Sequence, residues 1–370
     1  MEVHTTMFLI SASLLLLFFV FLPLFFRGGH KKKGNGGAEL KNNIPSPPDR
    51  EVADHEELDQ STSPVLDVVQ YSSLDMVVPP KKLKEIDEGM RTKVRKMLDD
   101  IPPLPAFSMQ LTDMLHDPQL NAKQIASLVS TNPLISSRIL RTVNSSYFGL
   151  TTKVTSVGRA ITLLGYNNVH SLVMKEVLHA AMPASSGKEL DKIDELWLHS
   201  TMVSACSLYL SKNVLQCTEH DMGTIGLFHD IGKYFLTAMK SRIEAELEMP
   251  SLILSIDSGI DHASLGSILA AHWEMAEIVV KGIEYHHYPT FFPVDEIPAP
   301  YLKPAFILCL ADLICKALGY VGDPERKLLP IRQEYYDNFG LRSDVTKLVS
   351  RSLIREIEKA RSAVKSYLGN

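Results

Sequence analysis

From Pro79 to the carboxyl terminus, apolar residues recur at helical spacing, and almost no stretch alternates apolar and polar residues. A period of about 3.6 residues places apolar side chains on one face of a helix, whereas a half-buried strand needs a period of about two. Apolar residues make up 45% of the chain, which is enough for a sizeable core. The pattern therefore predicts an all-α body.

Capping residues predict a bundle of short helices in the first part of this body. Asn121 and Asn132 each precede an apolar helical stretch, and Pro133 suits the first turn of the second stretch. Ser156 begins a third helix, and Gly165 ends it. Closely spaced helix starts and stops of this kind are typical of a small helical bundle.

Further helices are predicted on either side of this bundle. A charged, exposed helix at 81–99 precedes it and ends at the prolines that follow. The later helices are at 196–210, 223–228, 301–318 and 345–363. The first three are strongly apolar and histidines lie within or between them, while the helix at 301–318 contains one acid, Asp312. We therefore expect the chemistry of the protein in this later part.

Phe8 to Phe26 form an uncharged, mostly apolar run that is long enough to cross a membrane as a helix. Its flanking cations, Arg27 and Lys31 to Lys33, follow the run, so the positive-inside rule places the amino terminus outside and the body in the cytoplasm. A cleaved signal peptide is the competing interpretation, but signal peptides carry their cations before the apolar run, whereas in this chain the cations follow it. We expect a single-pass membrane anchor.

The segment after this run is rich in glycine, proline, serine and acidic residues, and we expect a flexible linker there. The predicted organisation is a short amino-terminal segment (1–7), a transmembrane helix (8–26), this linker (27–78), a connecting helix (79–100), a main domain (101–320) and a helical extension (321–370).

Net charge and cysteine spacing exclude some classes of function. A net charge of −5 gives no basic surface for a phosphate backbone, so we expect no nucleic-acid partner. The cysteines are widely spaced in apolar stretches, unlike those of a disulfide framework or a zinc ribbon. We expect Cys206, Cys217, Cys309 and Cys315 to be reduced core residues.

His229 and Asp230 are adjacent, and Gly232 follows them closely. An imidazole and a carboxylate are both ligands for a divalent ion, and glycine lets the backbone turn sharply beside it. The other candidate ligands are His199, His262, His286, His287 and Asp312. Together they can supply nitrogen and oxygen ligands to one metal ion or a pair, for which iron, manganese and zinc are the candidates.

The alternative is a buried polar network without a metal, in which the loss of one partner strands the others. Asp312 lies in an apolar helix and needs a partner, which either a metal or a histidine provides. His286 and His287 also fit a partly exposed helix end. Lys233 is a candidate catalytic residue that would donate to a phosphate oxygen, although a lysine in this position is also common as a solvated charge.

The order of His199, His229-Asp230 and Asp312 is similar to the metal-binding pattern of HD phosphohydrolases. With His262 and His286-His287, the set looks like the extended ligand set of the HD-GYP cyclic-dinucleotide phosphodiesterases. The preceding region resembles the amino-terminal half of HDOD domains in Leu104-Pro105, Asp117-Pro118, Asn132-Pro133-Leu134, Asn144 to Gly149 and Thr155 to Gly165. The resemblance covers about 101–319 and implies a two-lobed domain, with a small helical bundle and an HD-like helical lobe.

One segment departs from the HD-GYP pattern. Tyr288-Pro289-Thr290-Phe291 follows the histidine pair, where those enzymes carry an acid and a glycine-rich signature, so we do not expect hydrolysis of cyclic dinucleotides. The HDOD resemblance implies a signal-transduction protein that acts through signalling proteins or a small regulatory ligand, without a need for catalysis. The apolar run at 8–26 adds that it is held at a membrane. The alternative is a metal-dependent phosphohydrolase that acts on a nucleotide or another phosphoester.

Overall fold

A computed structural model of the protein describes residues 79–80, 82–183, 186–217, 221–239, 260–320 and 328–368. The regular elements within these ranges are all helices, and no strand forms there. The predicted all-α fold is confirmed.

Short helices form the amino-terminal lobe, and brief 3-10 turns at Leu83–Glu85 and Ser146–Phe148 accompany them. The α-helices are α1 (Glu88–Leu98), α2 (Ala106–Met114), α3 (Ala122–Val129), α4 (Pro133–Val143), α5 (Val157–Leu164) and α6 (Tyr166–Ala181).

The predicted caps set the boundaries of these helices. The Asn121 side chain accepts hydrogen bonds at the start of α3 and forms a complete capping box with Gln124. Asn132 accepts from the backbone N–H of Ile135 at 3.2 Å and begins α4. Asn144 then closes the following loop, because its amide both donates to and accepts from the backbone of Val154.

Helices of very different lengths build the second lobe, with 3-10 turns at Val294–Glu296 and Val345–Leu348. They are α7 (Gly187–Asn213), α8 (Met222–Phe228), α9 (Ile231–Ala238), α10 (His262–His272), α11 (Glu277–Tyr285), α12 (Tyr288–Phe291), α13 (Ala299–Ala317), α14 (Gln333–Asn338) and α15 (Arg351–Leu368).

Helix α7 is the centre of this lobe, and α8, α9, α13 and α15 all pack against it. The crossing with α8 is very close, since a Cβ atom on Gly226 would lie 2.7 Å from the Cα atom of Ser204. The Ser204 hydroxyl donates to the carbonyl of Gly223 at 2.7 Å at the same crossing. This close packing fixes the end of α8, where the His-Asp pair begins.

Three helices differ from the sequence-based boundaries. Helix α7 begins at Gly187 rather than at 196. Helix α1 begins at Glu88, behind an Asp87 cap, rather than at 81. It is not an exposed helix, because Val94, Met97 and Leu98 are buried in the core. The predicted helix at 345–363 is interrupted by Ser350, whose hydroxyl accepts from the backbone N–H of Leu353 at 3.1 Å as α15 starts.

Helix α15 is part of the core rather than a loosely attached tail. Leu353, Ile357 and Val364 are fully buried along one face. The helix packs on α7 in the second lobe and on α4 and α6 in the first lobe. The carboxyl-terminal helix therefore joins the two lobes.

Cys206, Cys309 and Cys315 are buried free thiols. Cys217 is half-buried, and its thiol donates to the carbonyl of Ser211 at 3.4 Å. None of the helices described here is long and apolar enough to cross a membrane. The predicted membrane span at 8–26 and the linker at 27–78 lie outside the described residues.

Candidate metal centre

Five parts of the second lobe bring the candidate ligands to one place. His199 projects from the middle of α7, and Asp312 projects from α13. The other candidates lie at helix ends: His229 and Asp230 between α8 and α9, His262 at the start of α10, and His286 and His287 between α11 and α12. All seven residues predicted from the sequence converge here.

His199, His229 and Asp312 form a first group, in which one ligand atom from each residue lies within 4.8 Å of the others. The Oδ1 atom of Asp312 is 3.0 Å from Nε2 of His199 and 4.0 Å from Nε2 of His229. All three residues are buried. Two imidazoles and a carboxylate therefore face a common point inside the lobe.

A second group consists of His262, His286 and His287, and one ligand atom from each of them also lies within 4.8 Å of the others. The Nε2 atoms of His262 and His287 are only 2.9 Å apart. His286 has no exposed surface, so it does not belong to an exposed helix end. This group is a cluster of three imidazoles at the junction of α10, α11 and α12.

Asp230 lies between the two groups. Its Oδ2 atom is 3.4 Å from Nε2 of His229, and its Oδ1 atom is 3.3 Å from Nε2 of His262. Its side chain is 97% enclosed by protein, with 3% of its surface exposed. One carboxylate therefore presents an oxygen atom to each group.

Backbone carbonyls orient three of the imidazoles in the same way. Because a carbonyl oxygen only accepts hydrogen bonds, each contacting Nδ1 atom carries a proton. At His229 and His286, whose Nε2 atoms have no hydrogen-bond partner among the described residues, Nε2 is then left with its lone pair. The contacts are His199 with Tyr320 at 2.7 Å, His229 with Gly226 at 2.8 Å, and His286 with Ile283 at 2.7 Å. A carbonyl behind the ring is the usual support of a metal-binding histidine.

Several of the inward-facing atoms have no hydrogen-bond partner. Nε2 of His229, Oδ1 of Asp230 and Nε2 of His286 are all buried and unsatisfied. Each such atom costs about 1 to 3 kcal/mol unless another group satisfies it. A divalent cation would satisfy all three, so the donor set fits a metal, and its nitrogen and oxygen atoms suit iron, manganese or zinc.

The electrostatics favour ionised carboxylates at Asp230 and Asp312 and a neutral imidazole at His286. Burial would raise the pKa of Asp230, but His229 and Lys233 hold it well below its usual range. Lys316 and His199 have the same effect on the pKa of Asp312, against the same cost of burial. Burial lowers the pKa of His286 to about 3. These are the protonation states in which such side chains bind metals.

Two lysines border the cluster. Lys233, which the sequence singled out, donates to Oδ2 of Asp230 at 2.8 Å. Lys316, which the sequence interpretation missed, donates to Oδ2 of Asp312 at 2.5 Å. Its position four residues after Asp312 on a predicted helix was the available signal, because such residues share a helix face. Burial would lower the pKa of Lys316, but Asp312 and Asp230 raise it.

Comparison with family models assigns the chain to a family. The family model described as the HDOD domain matches residues 101–289. A curated protein of Treponema pallidum, described only as uncharacterized, is 25% identical over 226 residues. That match covers 57% of this chain and 42% of the relative, so the chain spans less than half the relative's length.

Solved structures share the fold. An HDOD domain protein of Geobacter sulfurreducens, of unknown function, is 19% identical with a TM-score of 0.52, over 76% of this chain and 99% of that one. A proposed signal transduction protein of Marinobacter aquaeolei is 16% identical with a TM-score of 0.57, over 80% and 68% of the two chains. A proposed phosphohydrolase of Shewanella amazonensis is 23% identical with a TM-score of 0.50, over 74% of this chain and 97% of that one.

Proposed function

The chain belongs to the HDOD domain family, and we propose that it is a signal-transduction protein whose second lobe binds divalent metal ions and, with them, a small phosphoester ligand. Ligand binding at this site would be the regulatory event. The similarity in fold to a proposed signal transduction protein supports the signalling part of this proposal.

The position of Asp230 carries the metal part of the proposal. Its two oxygens lie 3.4 Å and 3.3 Å from imidazole nitrogens of the two histidine groups, yet Oδ1 makes no hydrogen bond. A polar network that existed only for stability would pair these atoms with one another. Atoms that approach without pairing are instead expected where a cation holds them together.

The two groups would divide the ligands between them. His199, His229 and Asp312 would hold one ion, the three histidines of the second group would hold another, and Asp230 would serve both. Divalent ions at such a site bind phosphoryl oxygens and lower the pKa of a bound water molecule. The carbonyls behind the imidazoles would keep the rings in their binding orientation, and Lys233 would add a donor for a phosphate oxygen.

Metal-dependent hydrolysis of a phosphoester is the second candidate function, and the same ligand set favours it. The two candidates share the metal and differ in turnover. The sequence after His287 lacks the acidic and glycine-rich signature of the cyclic-dinucleotide enzymes. We therefore place ligand binding first.

The test is elemental analysis of the full chain, purified without added metal or chelator, together with a phosphoester hydrolysis assay. We expect near-stoichiometric iron, manganese or zinc in the wild type and its loss in Asp230→Asn. Asp113→Asn, at an exposed position, is the matched control and should keep the metal. A metal-free wild type would refute the proposal in favour of a buried polar network. Turnover that Asp230→Asn abolishes would establish the phosphohydrolase.

The proposed location is the inner face of a membrane. The apolar run at 8–26 supports this, since basic residues follow it. Partners would then be signalling proteins that are in the membrane or recruited to it.

A further inference from the structure

Lys233 and Lys316 approach the metal centre from different helices, α9 and α13. Each ammonium group contacts one carboxylate of the centre, Asp230 or Asp312. The lysine side chains keep 23% and 17% of their surface exposed, whereas the carboxylates keep 3% and 9%. The lysines therefore lie at the solvent side of the centre, with the carboxylates behind them.

Each ammonium has donors to spare. A lysine carries three N–H donors, and one acceptor is found for each of these two lysines among the described residues. The two carboxylates that hold these ammoniums face the same imidazole, since Oδ2 of Asp230 and Oδ1 of Asp312 lie 3.4 Å and 4.0 Å from Nε2 of His229. The remaining donors are thus available at the same accessible edge of the centre.

The balance of charge at this edge selects for anions. The two ammoniums already neutralise the two carboxylates, so divalent ions at the centre would give it a net positive charge. A terminal phosphate carries about two negative charges at neutral pH and three acceptor oxygens. A phosphodiester carries one charge on two such oxygens, so it has fewer acceptors for two ammoniums and the metal.

We infer that Lys233 and Lys316 form a two-ammonium clamp that makes this centre bind a terminal phosphate group in preference to a phosphodiester. This inference rests on the proposed function and assigns its ligand class. Lys316 is a ligand-binding residue in this arrangement, and its pairing with Asp312 holds the ammonium at the accessible edge.

The test measures binding rather than turnover. Phenylphosphonate, a non-hydrolysable dianion, and diphenyl phosphate, a monoanionic diester, are titrated calorimetrically into the metal-containing full chain at mildly alkaline pH. Metal content and melting temperature are measured for every variant. The variants are Lys316→Met, which removes the charge, Lys316→Arg, which keeps it, and Lys303→Met, a control elsewhere on α13.

We expect the wild type to bind phenylphosphonate roughly tenfold or more tightly than the diester. Lys316→Met should lose most of this preference and retain its metal, while Lys316→Arg and Lys303→Met should keep the preference. Equal affinity of the wild type for the two compounds would overturn the clamp. So would unchanged phenylphosphonate affinity in Lys316→Met, or loss of metal in that variant, because Lys316 would then act only on the metal ligands. A wild type without metal refutes the proposed function and the clamp together.

Discussion

Gly232 lies so close to His262 that a Cβ atom on the glycine would be 2.0 Å from the histidine's carbonyl oxygen. No real Cβ atom tolerates that distance, and the contact is with backbone, which cannot rotate away. The starts of α9 and α10 therefore meet through this glycine. Asp230 and His262, which lie on either side of the contact, depend on it for their spacing.

Gly232→Ala should consequently separate α9 from α10. We expect a loss of about 3 kcal/mol or more in the free energy of unfolding, measured by urea denaturation, and a lower metal content. Gly187→Ala is the matched control, because a Cβ atom there meets nothing within 4 Å and alanine suits a helix. Equal stabilities of the two variants would contradict the close contact.

The buried side chain of His170 should make the free energy of unfolding depend on pH, independently of the metal centre. Its Nε2–H donates to the Thr112 hydroxyl at 2.8 Å, since that hydroxyl itself donates to the carbonyl of Ser108. Burial lowers the pKa of His170 to about 4, and His116 contributes in the same direction. The folded protein therefore holds this side chain neutral over a range in which the unfolded chain binds a proton.

Above the pKa of histidine in the unfolded chain, about 6.5, both states are neutral and this residue does not reduce the free energy of unfolding. As the pH falls from 6.5 toward 4, only the unfolded chain binds the proton, so the free energy of unfolding decreases. His170→Gln, which keeps a donor for Thr112, should remove up to about 3 kcal/mol of this pH dependence in urea titrations. The exposed His272→Gln should leave it unchanged. Parallel curves for wild type and His170→Gln would show that His170 does not titrate in this way.

The hydrogen bond of Tyr367 on α15 contributes to the connection between the two lobes. Its hydroxyl donates to Glu176 on α6, and Arg138 on α4 pairs with the same carboxylate oxygen at 2.5 Å. Tyr367→Phe should lower the free energy of unfolding by about 1 to 3 kcal/mol, because Glu176 is mostly buried and loses a donor. Tyr147→Phe, at a half-exposed tyrosine, should have little effect. A neutral Tyr367→Phe would mean that apolar packing alone holds α15.

The membrane anchor is tested by deletion. The full chain should sediment with membranes, and protease should reach its body only from the cytoplasmic side. Deletion of 8–26 should release a folded chain, whereas deletion of 34–78, the larger part of the linker, should leave it membrane-bound with an unchanged melting temperature. A soluble, amino-terminally trimmed wild type would instead identify the apolar run as a cleaved signal.

Sequence reasoning succeeded where the signal is local. Asn121 and Asn132 cap helices because their side chains bond backbone groups two or three residues away. The same reasoning failed at Ser350, where apolar periodicity continues across a break that only the hydroxyl contact with Leu353 identifies. It also extended α1 too far, because charged residues before Asp87 suit a helix as well as a turn.

The candidate ligands were identified by residue type and order, but their arrangement was not. His262 and His287 meet across 25 residues of chain, and no local rule predicts that Asp230 lies between two groups. Lys316 was overlooked although it follows Asp312 by four residues on the same predicted helix, a spacing that places both side chains on one face. The metal and substrate assignments remain predictions.

The contact between His199 and Asp312 joins residues 113 positions apart. During synthesis, the first group of ligands cannot form until Asp312 has left the ribosome. Until then, His199 on α7 lacks its partner on α13. Contacts of such long sequence separation form late in folding and slowly. Uptake of the ion proposed for this first group should therefore be a late step of maturation, and a nascent chain truncated before α13 should lack that group while it retains His262, His286 and His287.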